Sequence, residues 1–334
     1  MRDRFPTLPL LAGALAILAA GCAAAAGPEW ATLEPVTDFA RQSLAVYDTV
    51  FWWTLGIFVV VEFLLVFALW RFRHRPGDPE VPAQVHGHTL LEVGWTLAPA
   101  LILFFIAIPT VRTLFQQQAP PSASENALEI AVVGHQWWWE FIYPDLGITT
   151  ANEMHVPVGR KVHLTLTSAD VIHSFWVPRL GGKRDLNPGR ENTISFIADS
   201  SGMYDGQCAE LCGTSHANMR LKVFVDEPDA FAEWVRGQRS LAAPDSAGFQ
   251  TFLVSGCAAC HAIGGTLAQG RMGPDLTRVG SRTTIAGGIL PNTPQAMSGW
   301  LRHPDSVKPG ALMPDLNMAE DRISTLVGFL QGLR

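Results

Sequence analysis

The chain is 334 residues long, 48% hydrophobic and only 16% charged, whereas soluble domains carry about 25% charged residues, so part of it belongs outside water. Its net charge of −6, from 24 Lys and Arg against 30 Asp and Glu, and the lack of a basic run exclude the electrostatic footprint of nucleic-acid binding, while 11 Trp and 18 Phe are too many for a disordered chain. Five cysteines do not make a disulfide scaffold, and the length leaves room for about two domains with appended segments.

Residues 1–22 read as an export signal. Arg2 and Arg4 precede an apolar run from Leu8 to Ala20, and small residues lead to Cys22. Ala19-Ala20-Gly21-Cys22 has the form of a lipoprotein cleavage box, with Ala19 where such boxes usually carry Leu. Cys22 is therefore the candidate lipid anchor; cleavage of an ordinary signal near Ala24 to Ala26 is the alternative. After an N-terminal extracytoplasmic segment (23–48), Thr49–Trp70 and Val93–Val111 are near the roughly 20 residues that a helix needs to cross a bilayer. Arg71, Arg73 and Arg75 follow the first span and place the connecting loop in the cytoplasm. Residues 49–115 thus form a transmembrane hairpin, and everything after about Phe115 is extracytoplasmic. Glu62 and Glu92 lie at membrane depth or its edge, where a carboxylate is costly and is a functional candidate. For Glu62 the only further role is a hydrogen bond between the helices. Glu92 also suits the positive end of the second helix.

Ala119 to Asn126 is a linker by composition. Leu128–Val133, Lys161–Thr167, Asn192–Ile197 and Leu221–Val225 are β-rich runs between Gly, Pro and Asn, so residues 127–226 are expected to form a β-sandwich or barrel. Residues 227–247 are expected to be a second linker. The last part, 248–334, starts with an apolar helix (Phe249–Val254) and closes with an amphipathic one from about Met318 to Gln331. Asn317 and Glu320, ahead of Ile323, Leu326, Val327 and Leu330, have the form of a capping box and apolar stripe.

Within the β-region, Cys208, Cys212, His216 and Met219 fall in twelve residues, and His173 lies upstream at a strand end. Soft sulfur ligands with imidazole suit copper, and a thioether argues against zinc. Two Cys, two His and one Met are more donors than one copper needs; a binuclear site bridged by both thiolates uses them all. A Cys208–Cys212 disulfide is the alternative, but it leaves the other three donors unexplained. His135, His155 and His163 stand outside the cluster and read as structural or surface residues.

In the C-terminal part, Cys257-Ala-Ala-Cys260-His261 is the attachment signature of a c-type haem, with His261 as proximal iron ligand. A redox-active C-x-x-C is the alternative, but no βαβ pattern surrounds it. A second axial ligand is sought among Met272, Met297, Met313 and Met318. Met313 is preferred because Pro309 to Pro314 forms a loop able to hold a thioether over the haem. Met297 and Met318 read as helical packing residues.

The copper cluster, His173, the aromatic run Gly134 to Trp139 and the two spans resemble subunit II of cytochrome c oxidase over roughly Thr49 to Asp226. With its Met-Pro pattern of class I cytochromes c at Met313, the chain resembles, over nearly its whole mature length, the branch with a fused cytochrome c domain (caa3-type). The resemblance implies a two-helix transmembrane hairpin, an all-β cupredoxin-like barrel and an all-α class I cytochrome c domain. It implies a dinuclear CuA centre bridged by Cys208 and Cys212, with His173, His216 and Met219 as terminal ligands and the Glu210 carbonyl on one copper. The Glu210 side chain would contact a magnesium ion shared with subunit I. Copper-free quinol oxidase relatives lack these ligands. Electrons would run from an external cytochrome c or other donor to the haem, to CuA, and to haem a in subunit I. Oxygen is reduced to water there, coupled to proton translocation, and subunit III is a further partner.

By the same resemblance an aromatic receives electrons into CuA. Trp137 is the match, although the family's Trp-Tyr-Trp here reads Trp137-Trp138-Trp139 and the choice among the three stays open. Glu92 matches the glutamate at the entrance of a proton pathway of subunit I. The expected location is a bacterial inner membrane, with both cofactor domains on the periplasmic side. Competing readings are the electron-input subunit of a CuA-containing nitric oxide reductase and a non-enzymatic electron carrier or copper-delivery protein. Glu140, Asp145, Glu153 and Asp170 would dock a basic cytochrome, or are scattered acid on an exported surface.

Overall fold

Apolar length alone builds the first two elements. In a computed structural model that describes residues 31–77, 81, 84, 86–239 and 247–334, helices α1 (Asp38–Arg71) and α2 (Thr89–Gln118) are 34 and 30 residues long. Their most apolar stretches have mean hydropathies of 2.3 and 2.0. At about 1.5 Å per residue either exceeds the hydrocarbon thickness of a bilayer. The export signal, Cys22 and the first eight residues of the N-terminal segment (23–30) lie outside the described residues.

Helix α1 begins eleven residues before the expected span. Extending a nucleated helix fixes one residue per bond gained, and Asp38 in the first turn and Arg71 in the last suit the helix dipole. The hairpin is held by Gln117 Nε2, which donates to Phe39 O (3.1 Å) and Ser43 Oγ (3.0 Å), and by the stacked rings of Trp53 and Phe105. Glu62 is exposed and takes no part in these inter-helix hydrogen bonds, contrary to expectation.

The β-domain contains β1 (Leu128–His135), β2 (Trp138–Tyr143), β3 (Ile148–Ala151), β4 (Glu153–Pro157), β5 (Lys161–Ser168), β6 (His173–Trp176), β7 (Arg184–Leu186), β8 (Asn192–Ile197), β9 (Gly202–Cys208) and β10 (Arg220–Asp226). They form two five-stranded sheets in the orders β3-β2-β1-β5-β8 and β4-β10-β9-β6-β7. β1–β5 and β4–β10 pair in parallel and the remaining ladders are antiparallel. Alternate residues of β1, β5 and β10 are buried, as a half-buried strand requires, and Val132, Trp139, Phe141, Leu164, Leu166 and Val223 lie wholly inside.

The expected linker after Asp226 is instead helix α3 (Pro228–Arg239) for most of its length; residues 240–246 lie outside the described residues. Helix α3 buries Phe231 and packs Trp234 on Tyr143 and His155, with ring centroids 5.3 and 4.6 Å apart. Its last turn is tied to the β-domain by Arg239, which donates to Leu146 O.

The C-terminal domain comprises α4 (Ala247–Val254), a two-stranded ribbon β11 (Thr284–Ile285) and β12 (Leu290–Pro291), α5 (Pro294–Arg302), α6 (Pro304–Val307) and α7 (Glu320–Gly332). The ribbon qualifies the all-α expectation. Phe249, Phe252, Leu301, Ile323, Leu326 and Leu330 form its core. Helix α7 starts at Glu320, and Ala319, not Asn317, occupies its N-cap. Asn317 is left-handed (φ 46°) and its N–H is bound by the Asp315 carboxylate, which removes it from capping, while Glu320 reaches Arg302 rather than its own helix end.

Candidate metal centre and haem pocket

Strand pairing brings His173 to the cysteine loop. Phe175 of β6 faces Cys208 of β9, so His173, two residues earlier on the same face, has its Nδ1 4.0 Å from Cys208 Sγ. Cys208 Sγ lies 3.8 Å from Cys212 Sγ and 3.2 Å from the Glu210 carbonyl oxygen. Cys212 Sγ in turn lies 3.6 Å from His216 Nδ1 and 3.9 Å from Met219 Sδ. His173, Cys208, Cys212 and Met219 are buried and His216 is half-buried. The five side-chain donors singled out in the sequence and the Glu210 carbonyl therefore form one chain of contacts with Cys212 near its middle. Both cysteines are free.

The donors fit a metal. With metal–sulfur bonds of about 2.3 Å and a tetrahedral angle, two sulfurs on one ion stand about 3.8 Å apart, and Cys208 and Cys212 have that spacing. His173 Nε2 donates to Asp170 Oδ1 (2.7 Å), which turns Nδ1 toward the sulfurs. The cysteine pair is tightly coupled. The Cys212 thiol stabilises a Cys208 thiolate and pulls its pKa down, and that same hydrogen bond, with burial and the neighbouring negative charge, pushes the Cys212 pKa up. Burial alone would lower the His173 pKa, but its hydrogen bonds to Cys208 and Asp170 outweigh this and raise it. For Asp170 burial is likewise outweighed, by the His173 bond and the backbone N–H groups of Gln136 and Val171, and its pKa falls.

The three tryptophans take different roles. Trp137 Nε1 donates to the Cys212 carbonyl (3.0 Å), beside Gln136 Nε2 on the same oxygen (2.7 Å). Trp138 stacks on His135 at 4.1 Å. Trp139 is fully buried against Phe175.

A cavity of about 310 Å³ is lined by Cys257, Cys260, His261, Met313, Phe252 and Trp137, among others. It fits a flat apolar group held by thioethers. A Cβ at Gly270 would sit 2.5 Å from the Cys260 carbonyl carbon, and one at Gly273 would sit 2.6 Å from His261 Cε1. Only glycine leaves those approaches open. His261 Nδ1 donates to Pro274 O (2.7 Å), which leaves Nε2 unprotonated and available as a ligand. Burial lowers the His261 pKa and keeps the imidazole neutral.

Met272 and Met297 also line the cavity. Met272 is largely exposed, whereas Met297 is buried on α5 and its Sδ accepts from Gln331 Nε2. Met318 packs on the core and precedes the last helix rather than starting it.

Glu210 is exposed. Glu92, in the first turn of α2, accepts from the His88 backbone N–H (3.2 Å). Of the acids expected to dock a basic cytochrome, Asp145 is exposed, Glu140 pairs with His135 and Asp170 with His173. Glu153 is buried with its carboxylate on Thr283 and Thr284 of the C-terminal domain. That partner is 130 residues away in sequence, so Glu153 is not a surface acid. Lys308, which the sequence did not single out, is 4% exposed and donates to Trp137 O and Ala286 O.

A family model described as cytochrome C oxidase subunit II, periplasmic domain, matches residues 147–225; its transmembrane-domain counterpart matches 36–113, and a cytochrome c model matches 246–334. The chain is 39% identical over 289 residues to a protein of Alkalihalophilus pseudofirmus named cytochrome c oxidase subunit 2, covering 84% of this chain and 83% of that one. Proteins of the same name from Bacillus subtilis and Bacillus sp. (strain PS3) are each 35% identical. They cover 98% and 97% of this chain, and 97% and 96% of their own lengths.

Proposed function

The chain belongs to the cytochrome c oxidase subunit 2 family, and from that premise we propose that it is the electron-input subunit of a terminal haem–copper oxidase in a bacterial inner membrane, with CuA in its cupredoxin-like β-domain and a covalent haem c in its C-terminal domain. The observation that carries this is the unbroken contact chain from His173 through Cys208 and Cys212 to His216 and Met219, at 3.6–4.0 Å. Cys208 and Cys212 would supply the thiolates that hold the copper, His173 and His216 its imidazoles, Met219 its thioether, and Glu210 a backbone carbonyl. Cys257 and Cys260 would attach the haem, and His261 and Met313 would ligate its iron. When bound, the two groups supply one-electron redox chemistry, carrying electrons from an external c-type donor to subunit I, where oxygen is reduced.

The residues themselves do three things. Asp170 and Pro274 fix which nitrogen of His173 and His261 is free to ligate. Burial of Cys208, Cys212 and Met219 excludes water, so the copper site is a closed carrier site rather than an open catalytic one. Trp137 ties the Cys212 carbonyl to the cavity it also lines, which favours it over Trp138 and Trp139 as the electron-receiving aromatic. Subunits I and III would be the membrane partners, and the exposed Glu210 side chain would be free to hold a magnesium ion shared with subunit I. Glu92 stands at a proton entrance of subunit I, and Glu92→Ala then lowers turnover in reconstituted vesicles. Cys22 is the lipid anchor.

Metal analysis and electron paramagnetic resonance on the full-length protein test the copper assignment. Two coppers per chain with a mixed-valence signal are expected; one copper, or zinc, overturns it.

A further inference from the structure

Two charged side chains, one from each side, end in the seam between the β-domain and the C-terminal domain. Glu153 of β4 is 3% exposed, and its carboxylate accepts from the backbone N–H and the hydroxyl of both Thr283 and Thr284 at 2.7–3.0 Å. Lys308 enters from the opposite side and donates to the Trp137 carbonyl and, at 3.1 Å, to that of Ala286. Around them Arg220 N–H donates to Gly287 O (2.9 Å) and Ser215 Oγ to Pro309 O (2.6 Å). Glycines allow the approach. A Cβ at Gly287 would lie 2.8 Å from Trp137 O, one at Gly288 2.9 Å from Arg220 O, and one at Gly310 3.0 Å from the Trp137 ring.

This is not the anatomy of a transient electron-transfer encounter. Such encounters bury little area and keep their charges at a wet rim. Here a carboxylate and a lysine amine are desolvated inside the seam; Glu153 takes its partners from the C-terminal domain, and Lys308 takes Trp137 O from the β-domain. Parting the domains would break the bonds of Thr283 and Thr284 to Glu153, and each re-docking would again have to strip water from the Glu153 carboxylate and the Lys308 amine. Repeating that exchange at every electron transfer is costly. The tryptophans beneath the seam are covered as well: Trp137 and Trp138 are each 8% exposed.

We propose that the haem domain is a permanent cover on the Trp137 face of the β-domain, locked by Glu153 and Lys308, so that an external donor protein reaches the haem domain and never the copper loop directly. The inference rests on the electron-input reading of the two sites.

Hydrogen exchange on the full-length holoprotein in detergent tests the lock without any variant. The amides of Arg220, Thr283 and Thr284 donate across the seam. They are expected to exchange as slowly as the Leu164 and Val223 amides inside the sheets. Exchange at the rate of an exposed loop overturns the proposal. Glu153→Ala with Lys308→Met is expected to speed exchange of the three amides by roughly tenfold or more and to leave the sheet amides unchanged; no change overturns the lock.

Mixing with a ferrous soluble class I cytochrome c supplies the second readout. In the wild type, copper bleaching is expected only after haem reduction; in the double variant a parallel copper phase is expected. Parallel bleaching in the wild type overturns the cover. Absence of the haem Soret or copper near-infrared bands from the same sample would instead overturn the electron-input reading, and the exchange rates would still judge the seam.

Discussion

Gly273→Ala isolates the contact that holds His261 in place. Gly273 has no left-handed backbone, so the substitution adds a methyl group without backbone strain. That methyl would lie 2.6 Å from His261 Cε1, 2.9 Å from Nδ1 and 3.1 Å from Nε2. The imidazole cannot simply retreat, because Nδ1 is bound to the carbonyl of Pro274, the next residue, and Gly273 N–H is bound to Cys260 O. The ring must tilt into the cavity or give up its Pro274 bond. Overpacking with a lost hydrogen bond costs about 2–4 kcal/mol, a fall of roughly 10 °C or more in Tm for a domain of this size. On the proposed function, thioethers at Cys257 and Cys260 would keep the haem attached, so haem content is expected to stay constant while the low-spin absorption bands shift. Gly328→Ala on α7 is the control. Nothing lies within 4 Å of its new methyl, and helix propensity alone favours Ala by about 0.8–1 kcal/mol. Thermal unfolding and absorption spectra of the two variants decide the matter. A Gly273→Ala protein with wild-type Tm and unshifted bands would refute the placement of His261 as iron ligand.

Met313→Ala should abolish the low-spin His/Met absorption signature, whereas Met272→Ala leaves it intact; an unchanged Met313→Ala spectrum would mean that another side chain is the ligand. Trp137→Phe deletes the indole donor to the Cys212 carbonyl and should slow haem-to-copper transfer in flash photolysis while both optical signatures stay unaltered; equal rates would return the role to its neighbours. Burial pulls the Lys308 pKa from 10.5 down to about 7. Between those values the folded chain binds fewer protons here than the unfolded chain. The contribution of this lysine to stability therefore rises with pH across that window, by on the order of a few kcal/mol in all, and is flat below it. The difference in unfolding free energy between wild type and Lys308→Met should grow accordingly from pH 7 to pH 10, and parallel curves would contradict it.

The candidate copper donors are legible because four of them sit in one loop of twelve residues and carry chemistry that surface residues rarely share. His173 was legible for its neighbourhood but not its distance, since the β6–β9 register that carries it to Cys208 is a tertiary fact. Glu153 and Lys308 were opaque for a plainer reason. A carboxylate at a strand start and a lysine beside a proline look like surface residues, and the groups that bury them lie 130 and 171 residues away. Helix α3 reads as linker in the sequence because its few apolar residues, Phe231 and Trp234 foremost, matter only once Tyr143 and His155 are there to receive them. The capping box failed on Asn317, whose left-handed backbone and bond to Asp315 serve the preceding turn.

The loop from Cys212 to His216 has two faces, and each limits the other. Inward it presents Cys212 Sγ and His216 Nδ1, 3.6 Å apart. Outward its Cys212 carbonyl takes hydrogen bonds from Gln136 and Trp137, and Ser215 grips Pro309 of the haem domain. A loop fixed on both sides cannot relax when only one is disturbed, because neighbouring groups in one hydrogen-bond network couple instead of adding. Changes in the Lys308 to Gly310 segment should therefore be felt at the cysteine sulfurs, although no residue of that segment is a ligand. On the proposed function, the fused domain would then be a structural part of the copper site as well as its donor, which a separately diffusing cytochrome could not be.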